Sequence, residues 1–292
     1  MIRIVERPGL WMSEEEIRSL LAELRAVVAR TLAQGLDYGV LTGDAERLRQ
    51  AVVTILYDRP SGAPIAFNAL AAMPVELRGR PIEVLHLGLV MVDPGFRTQG
   101  LSWVLYGLTC ILLFFRKGLR PIWISNVTQV PAVVGKVAEG FMSAFPNPFA
   151  AVRPTFDYLS IAREIMRKHR HVFGVGAEAG FDERRFVITN AYTGGSDNLK
   201  KTFAEAPKHR DERADELCRR ELDYDRGDDF LQLARLDLAS ARNYLMREIP
   251  RDSLPAVLYQ LAFVVLGGLV LPLLHWLNPA QPFGDLRARE PR

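Results

Sequence analysis

An apolar strand, a short polar loop and a long apolar helix follow one another over residues 85–115, and this succession constrains the fold most. The strand covers residues 85–92, and the helix begins at Leu101 and ends before Gly118. Because the helix is apolar nearly all round, we expect it to be buried in a core. At about 15 residues it is shorter than the roughly 20 that a membrane span needs.

The loop between this strand and helix has the composition of an anion site. Backbone N–H groups at a helix start lack partners inside the helix, and the helix dipole there favours negative charge. Small residues and an arginine at such a junction predict a site for a pyrophosphate group. The residues predicted to supply N–H groups or charge are Phe96, Arg97, Thr98, Gln99, Gly100, Leu101 and Ser102.

The same loop resembles the acyl-CoA-binding motif of the GNAT superfamily of N-acyltransferases. That motif is Arg/Gln-x-x-Gly-x-Gly/Ala after a strand that ends in Val-x-Pro. Arg97, Gly100 and Ser102 take the three motif positions, and residues 92–94 supply the strand exit. Ser102 departs from the usual glycine or alanine but is small enough to allow close approach. An ordinary strand–turn–helix with a proline turn is the alternative.

The elements around the loop follow the order that the resemblance implies. Ser13 and Glu16 form a capping box before an amphipathic helix, and turn residues at 58–62 join two strands into a hairpin. The predicted order is a helix at 13–32, a helix at 44–50, strands at 52–57, 65–72 and 81–92, the loop and its helix, a strand at 121–125 and a helix at 130–142. The resemblance covers about residues 10–150. It implies an α/β (α+β) fold with a mixed central sheet flanked by helices.

The rest of the chain is expected to add a helical extension and an apolar tail. We predict an acyl-CoA-binding core at residues 1–150 and a region at 151–253 that builds part of the acceptor side or a homodimer contact. That region contains a predicted helix at 155–170 and a predicted strand at 186–191. Acids and bases alternate at helical spacing over residues 201–247, which is typical of a solvated helix face. An apolar segment at 254–277 and a tail at 278–292 follow.

Residues 254–277 form an apolar stretch of 24 residues without a charged side chain. A bilayer core of about 30 Å needs roughly 20 helical residues at about 1.5 Å each, so the stretch is long enough to span a membrane. Gly267, Gly268 and Pro272 permit a bend, so a re-entrant or in-plane helix is an alternative. A buried core helix and a dimer interface are further alternatives. The prediction is a membrane-associated protein.

Composition restricts the compartment and the partners. The net charge of +3 gives no electrostatic argument for nucleic acid, and we expect none as a partner. The first twelve residues lack the apolar run of a signal peptide. Cys110 and Cys218 suit a reducing compartment and indicate neither a disulfide framework nor a metal site. We therefore expect a cytoplasmic protein held at a membrane by residues 254–277.

The candidate catalytic residues lie on the strand before the loop. GNAT catalysis, as the resemblance implies, is direct attack by an amine on an acyl thioester that lies between separated central strands. The strand residue six before the valine of the strand exit is often the carboxylate base, and here it is His86. An imidazole suits the same task, although a lone histidine in an apolar strand is often a hydrogen-bonded structural residue. Glu83, the second candidate, falls on the opposite face from His86 and is otherwise a solvated residue at the strand start.

For the cofactor, the resemblance implies that main-chain groups of Val90 and Val92 bind the pantetheine amides like an added strand. Asn126 resembles the polar residue that many members direct at the CoA arm, and a helix cap is the equal alternative. The usual general acid is a tyrosine near the helix that follows. No tyrosine occurs at residues 123–157, and Tyr158 is the nearest.

The predicted function is transfer of an acyl group from acyl-CoA, or from an acyl carrier thioester, to an amine acceptor without a metal. The apolar helix and the apolar tail indicate a lipid-like acyl chain or acceptor. A non-catalytic acyl-CoA-binding or protein-interaction module at a membrane is the alternative. It is favoured by the histidine at the position of the usual acid and by the missing tyrosine.

Overall fold

The computed structural model describes residues 1–32, 36, 39–99, 101, 104–141, 143–194 and 196–243, with Pro255, Leu258, Tyr259, Ala262 and Leu266. The strands in this part of the chain are β1 (Ile2–Glu6), β2 (Ala51–Tyr57), β3 (Pro64–Leu77), β4 (Arg80–Val92), β5 (Ile122–Thr128), β6 (Gly180–Asp182), β7 (Val187–Thr189) and β8 (Asp229–Leu236). The α-helices are α1 (Glu14–Thr31), α2 (Ala45–Gln50), α3 (Thr109–Arg116), α4 (Pro131–Gly140), α5 (Phe156–Glu164), α6 (Glu212–Glu221) and α7 (Leu238–Asn243).

These strands form one mixed sheet in the order β1-β2-β3-β4-β5-β8-β7-β6. β1 to β4 are antiparallel neighbours, β4 and β5 are parallel, and β8 runs antiparallel to β5. Parallel neighbours need a crossover connection, and the segment between β4 and β5, which includes α3, supplies it. Helices cover both faces, so the predicted α/β class with a mixed central sheet flanked by helices is confirmed.

The two faces of the sheet pack against different helices. On one face, α1 buries Leu20 and Leu24 against β2 and β3, and α5 buries Ile161 against β3, β4 and β8. On the other face, residues of α3 and α4 pack over Leu85 and Ile124. The central strands β4 and β5 are therefore enclosed on both sides, as parallel neighbours usually are.

The strand β8 differs from the sequence-based prediction. It pairs with β5 along all seven residues of β5, and seven of its own eight residues are buried. The prediction of a solvated helix face over residues 201–247 is therefore wrong for residues 229–236. The residues fit a central position in the sheet, and this packing outweighs the local alternation of charge.

The predicted localisation at a membrane is also wrong. Within the described part of the chain, no helix combines the length and the apolar character that crossing a bilayer requires. The predicted segment at 254–277 lies outside the described residues, apart from the five positions named above.

Candidate active site

The central strands β4 and β5 separate after a short paired stretch. Both strands are fully described, and they pair only over residues 84–86 of β4 and 123–125 of β5. Beyond that point β4 continues to Val92 along β3, and β5 continues to Thr128 along β8. A gap therefore opens between the carboxyl halves of the two strands. This is the arrangement that the GNAT resemblance implies for a thioester site.

One edge of β4 presents main-chain groups to this gap. On the edge of β4 that faces β3, Asp93 N donates to Ile65 O at 2.9 Å. On the opposite edge, Gly88 O accepts from Tyr106 Oη at 3.0 Å. Main-chain groups of successive residues in a strand point to opposite edges. Residues 90 and 92 therefore direct their N–H and C=O groups at the gap, and the carbonyl group of Gly88 faces the same side. Val90 and Val92 are the residues predicted to bind pantetheine.

A β-bulge in β4 lies where the gap begins. Between the pairs Ala71↔His86 and Ala69↔Leu89, β4 contains one residue more than β3. Gly88 lies in this bulge, and an added Cβ there would stand 2.2 Å from Ala69 O. Since only glycine allows this close approach, the bulge and the direction of the gap depend on Gly88.

A large cavity occupies the gap and continues between the sheet and the helices α3 and α4. Its volume is about 550 Å³, which lies within the usual range of small-molecule sites. Most of its lining is apolar. The polar residues that line it are His86, Tyr106, Asn126, Thr128 and Lys136.

A second, much smaller cavity lies across the sheet from the first. Its volume is about 40 Å³, and its walls include Arg47, Gln50 and Val172. Residues of the β4 bulge, namely His86, Gly88 and Leu89, line both cavities. The two cavities therefore approach each other at the bulge, from opposite faces of the sheet.

His86, the first candidate base, occupies this junction. Its side chain is buried, with Nδ1 at 3.1 Å from Ser125 Oγ on the neighbouring strand. Its ring packs against Phe173, with centroids 5.2 Å apart. Burial lowers the pKa of His86 to about 4, so the imidazole is neutral at physiological pH. A neutral imidazole has a lone pair that can accept a proton.

Glu83, the second candidate, lies apart from both cavities. Its carboxylate accepts from Arg7 Nη2 and from Lys117 Nζ, each at 2.6 Å. Glu83 is absent from the described residues that line either cavity. The geometry assigns it to an ion-pair cluster that joins the start of β4 to the N-terminal segment and to the end of α3.

Asn126 lines the large cavity from within β5. Its Nδ2 donates to Gln232 Oε1 of β8 at 3.2 Å. Gln232 Nε2 in turn donates to Val134 O and Pro146 O, at 3.2 and 3.0 Å. Because both donors of Gln232 are engaged by carbonyl groups, its oxygen faces Asn126 and fixes the orientation of that amide. Gln232 could not be predicted as a site residue, since β8 was not predicted.

Tyr106 is a further residue of the site that was not predicted from the sequence. It belongs to a π-helical turn, Val104–Leu108, that interrupts the helix predicted from Leu101. Such turns occur often at functional sites. Tyr106 lines the large cavity, whereas Tyr158 donates to Ser143 O at 2.7 Å and lies in the core on the opposite face. The signal was available, because Tyr106 follows the predicted pyrophosphate loop by about one helical turn.

The predicted pyrophosphate loop begins with a 3₁₀ turn, Pro94–Gln99. Two of its N–H groups already have partners, because Gly95 N donates to Asp93 Oδ1 and Phe96 N donates to Asp93 O, both at 2.9 Å. The Gly95 N–H and the ion pair with Arg30 hold the pKa of Asp93 below its usual range. Arg30 therefore neutralises the Asp93 carboxylate at the start of the loop, a contact that the sequence did not indicate.

The remaining loop residues differ in how much of each the structure describes. Phe96 and Leu101 pack against a buried cluster that contains Leu56 and Leu105, and Arg97 is exposed. Two other predicted loop residues, Gly100 and Ser102, lie outside the described residues. The backbones of Thr98 and Gln99 are described, but their side chains are not. Among the residues that are described, no three histidine, cysteine or carboxylate side chains are grouped as metal ligands would be.

Several solved structures are similar to this chain. An acetyltransferase from Trypanosoma brucei is 23% identical, with a TM-score of 0.29, over 40% of this chain and 76% of its own. An acetyltransferase from Vibrio fischeri is 12% identical, with a TM-score of 0.28, over 42% of this chain and 93% of its own. AtaT complexed with acetyl-methionyl-tRNAfMet is 13% identical, with a TM-score of 0.24, over 42% of this chain and 76% of its own.

No protein-family model and no curated protein matches the sequence. The fold is nevertheless GNAT-like by its own geometry. The mixed sheet and the separation of its central strands β4 and β5 are the features that the resemblance of residues 92–102 implies.

Proposed function

We propose that this protein is an N-acyltransferase of the GNAT type, which moves an acyl group from acyl-CoA or an acyl carrier thioester to an amine. The observation that carries the proposal is the gap between β4 and β5, which holds a cavity that His86 lines. No metal takes part in the proposed reaction.

The donor would bind along the exposed edge of β4. The N–H and C=O groups of Val90 and Val92, with the C=O group of Gly88, suit the two amides of a pantetheine arm, which would extend the sheet as an added strand. Asn126 would contact the same arm from β5. Arg97 and Lys136, both exposed near the carboxyl ends of these strands, would attract the pyrophosphate.

The acceptor amine would approach from the opposite face, through the small cavity. Val172 lines that cavity, so the region predicted at residues 151–253 contributes to the acceptor side in this proposal. In the same proposal, residue 150 is the boundary between the acyl-CoA-binding core and this acceptor region.

The reaction then takes place at the bulge. The amine nitrogen attacks the thioester carbonyl carbon, a C–N bond forms, and the C–S bond breaks to release the thiolate. The attacking nitrogen loses one proton, which His86 Nε2 accepts if Nδ1–H donates to Ser125 Oγ. Tyr106, whose hydroxyl group lies at the same cavity, protonates the thiolate. General acid–base catalysis of this kind typically contributes about 10²–10⁴-fold.

Thioester turnover with two variants tests the proposal. Release of free CoA from acetyl-CoA and octanoyl-CoA is followed with a thiol reagent in the presence of a panel of primary amines. We expect His86→Gln to lower turnover at least 100-fold while acyl-CoA affinity stays within about twofold. Arg97→Ala should instead weaken acyl-CoA binding by about tenfold, because one charge-assisted hydrogen bond to the pyrophosphate is lost. The effect on kcat should be smaller.

Ser125→Ala is the matched control, because it removes the hydrogen bond to His86 and keeps the imidazole. If His86 only joins the two strands, Ser125→Ala and a folded His86→Gln variant should both keep most turnover. Tight binding of acyl-CoA without any turnover in the unchanged protein would favour the non-catalytic binding module.

A further inference from the structure

We propose that the acyl group of the donor is an extended apolar chain, and that it lies between the sheet and the helices α3 and α4. This inference rests on the proposed function, since it takes the gap between β4 and β5 as the donor site. It adds the chemical class of the acyl group, which neither the loop motif nor the fold specifies.

The cavity continues well beyond the point where the thioester would lie. The separation of the strands begins at the pair His86↔Ser125. Leu236, which lines the cavity, pairs with Ile122 at the amino end of β5, three residues before Ser125. At about 3.3 Å per strand residue, this extension is roughly 10 Å. An acetyl group has a single methyl group beyond its carbonyl carbon and would leave this part empty.

The far part of the cavity is apolar. Its walls come from three helices and from β8, and among its described residues none is charged. These residues are Cys110, Ile111, Val137, Phe141, Leu236 and Ala241. Burial raises the pKa of Cys110 to about 12, so its thiol is neutral and does not serve as a nucleophile. The surface therefore suits a hydrocarbon chain that is held without a covalent bond.

Packing provides an independent argument that a ligand occupies this volume. Protein interiors are close-packed, and the few voids in them are seldom much larger than a water molecule. The 550 Å³ of this cavity includes both the gap and the part under α3 and α4, and the cavity opens to solvent. Apolar walls that face a cavity instead of other protein atoms lose dispersion contacts. A chain of several methylene groups would restore them.

On the other face of the sheet, the cavity that borders the bulge is much smaller. The small cavity there has a volume of only about 40 Å³ and is bordered by the polar residues Arg47 and Gln50. A long acyl chain therefore extends under α3 and α4, and the amine comes from the side of α2. The two substrates would meet at Gly88 from opposite faces.

Binding measurements across a series of chain lengths test the inference. Dissociation constants of the full-length protein are measured by calorimetry for CoA and for acetyl-, butyryl-, octanoyl- and lauroyl-CoA. We expect the affinity to rise by up to about fourfold for each methylene group that becomes buried. S-octanoyl-pantetheine, which lacks the nucleotide, shows whether the chain contributes when the donor is a carrier thioester.

Two variants locate the chain. Ala241→Phe, in α7, fills the far end of the cavity and should weaken lauroyl-CoA binding at least tenfold while acetyl-CoA binding changes less than twofold. Leu238→Phe is the matched control, since Leu238 lies on the same helix but is 62% exposed. Ile111→Phe, from the opposite wall, serves as a second filling variant if Ala241→Phe does not fold.

The outcomes separate the two proposals. Equal affinity for all chain lengths, or an equal loss for every donor in Ala241→Phe, overturns the long-chain inference and leaves the acyl-CoA site in place. Failure of CoA and of every acyl-CoA to bind overturns the donor site and the inference with it. Rising affinity that is lost selectively in the filling variants supports both.

Discussion

Two buried titratable side chains, His86 and Asp229, are held neutral for the same reason and respond to pH in opposite directions. Burial lowers the pKa of His86 to about 4 and raises the pKa of Asp229 to about 7. The Asp229 carboxyl group accepts a hydrogen bond from Tyr192 Oη at 3.0 Å, which opposes part of the increase. Near pH 5.5 both groups are mainly uncharged in the folded protein.

The sign of each contribution to stability follows from linkage. His86 binds a proton more weakly in the folded chain than in the unfolded chain, so stability is lost as pH falls from about 6.5 to about 4. Asp229 binds a proton more strongly in the folded chain, so its contribution is present at low pH and is lost as pH rises from about 4 to about 7.

We predict that Asp229→Asn removes the second of these losses. Asparagine can still accept the hydrogen bond from Tyr192 but carries no charge at any pH. As the pH rises from 5 to 8, the unfolding free energy of the unchanged protein should fall by roughly 2–3 kcal/mol relative to that of the variant. This fall corresponds to about two units of the pKa difference between folded and unfolded Asp229.

Urea unfolding at both pH values measures this difference. Asp225→Asn is the control, since Asp225 is exposed in the turn before β8 and should leave the pH dependence unchanged. The same pH slope in Asp229→Asn and in the unchanged protein would contradict the prediction.

At the scale of elements, the π-helical turn Val104–Leu108 is held by a buried polar cluster. Leu105 O accepts from Asn68 Nδ2 of β3 and from Thr109 Oγ1, both at 2.7 Å. Thr54 Oγ1 of β2 lies 2.6 Å from Thr109 Oγ1. These side chains are almost completely buried. The cluster ties the start of α3 to the sheet and thereby positions Tyr106 at the cavity.

A double-mutant cycle on Thr54 and Thr109 tests this connection. Thr109→Val leaves the Thr54 hydroxyl group buried without an acceptor, and we expect it to cost about 1–3 kcal/mol of unfolding free energy. The double variant with Thr54→Val should cost less than the sum of the single changes, with a coupling of about 0.5–2 kcal/mol. Denaturant unfolding of the four proteins gives the coupling. Strict additivity would show that the two hydroxyl groups act independently.

The same cluster shows which elements can be predicted from the sequence. α1 could be predicted because its capping box, Ser13 with Glu16, and its apolar spacing lie within the helix itself. The π-helical turn could not, because its stabilising partners come from β2 and β3, more than 35 residues earlier in the chain. The position of Tyr106 one helical turn after the loop was visible in the sequence, but its place at the cavity depends on these distant partners. His86 was found because its position relative to Val92 is fixed within one strand.

At the scale of the whole molecule, the sheet runs without a break from the predicted core into the region after residue 150. β8 covers the edge of β5, and α5 contributes to a core that also contains residues of β3, β4 and β8. The elements α1, α2 and β2 to β5 could be predicted from the sequence, whereas β1 and this continuity could not. The pairing of β8 with β5 joins residues about 110 positions apart, and no local pattern marks it.

We predict that a chain ending at residue 150 does not form a folded monomer. It would expose the edge of β5 and the apolar face that α5 covers, and an uncovered edge strand of this kind associates with other chains. Size-exclusion chromatography with circular dichroism tests the prediction. A chain ending at residue 243, which keeps all eight described strands, is the control. A monomeric, folded chain of residues 1–150 that binds acetyl-CoA would contradict it.

The two strands that border the gap are each fastened on their outer side. β4 stays hydrogen-bonded to β3 as far as Val92, and β5 stays hydrogen-bonded to β8 as far as Thr128. The gap is therefore part of the sheet, and a ligand can enter it without displacing either strand. A molecule that enters it meets a preorganised receptor and spends no free energy on rearranging the sheet, so most of its contact energy is expressed as affinity.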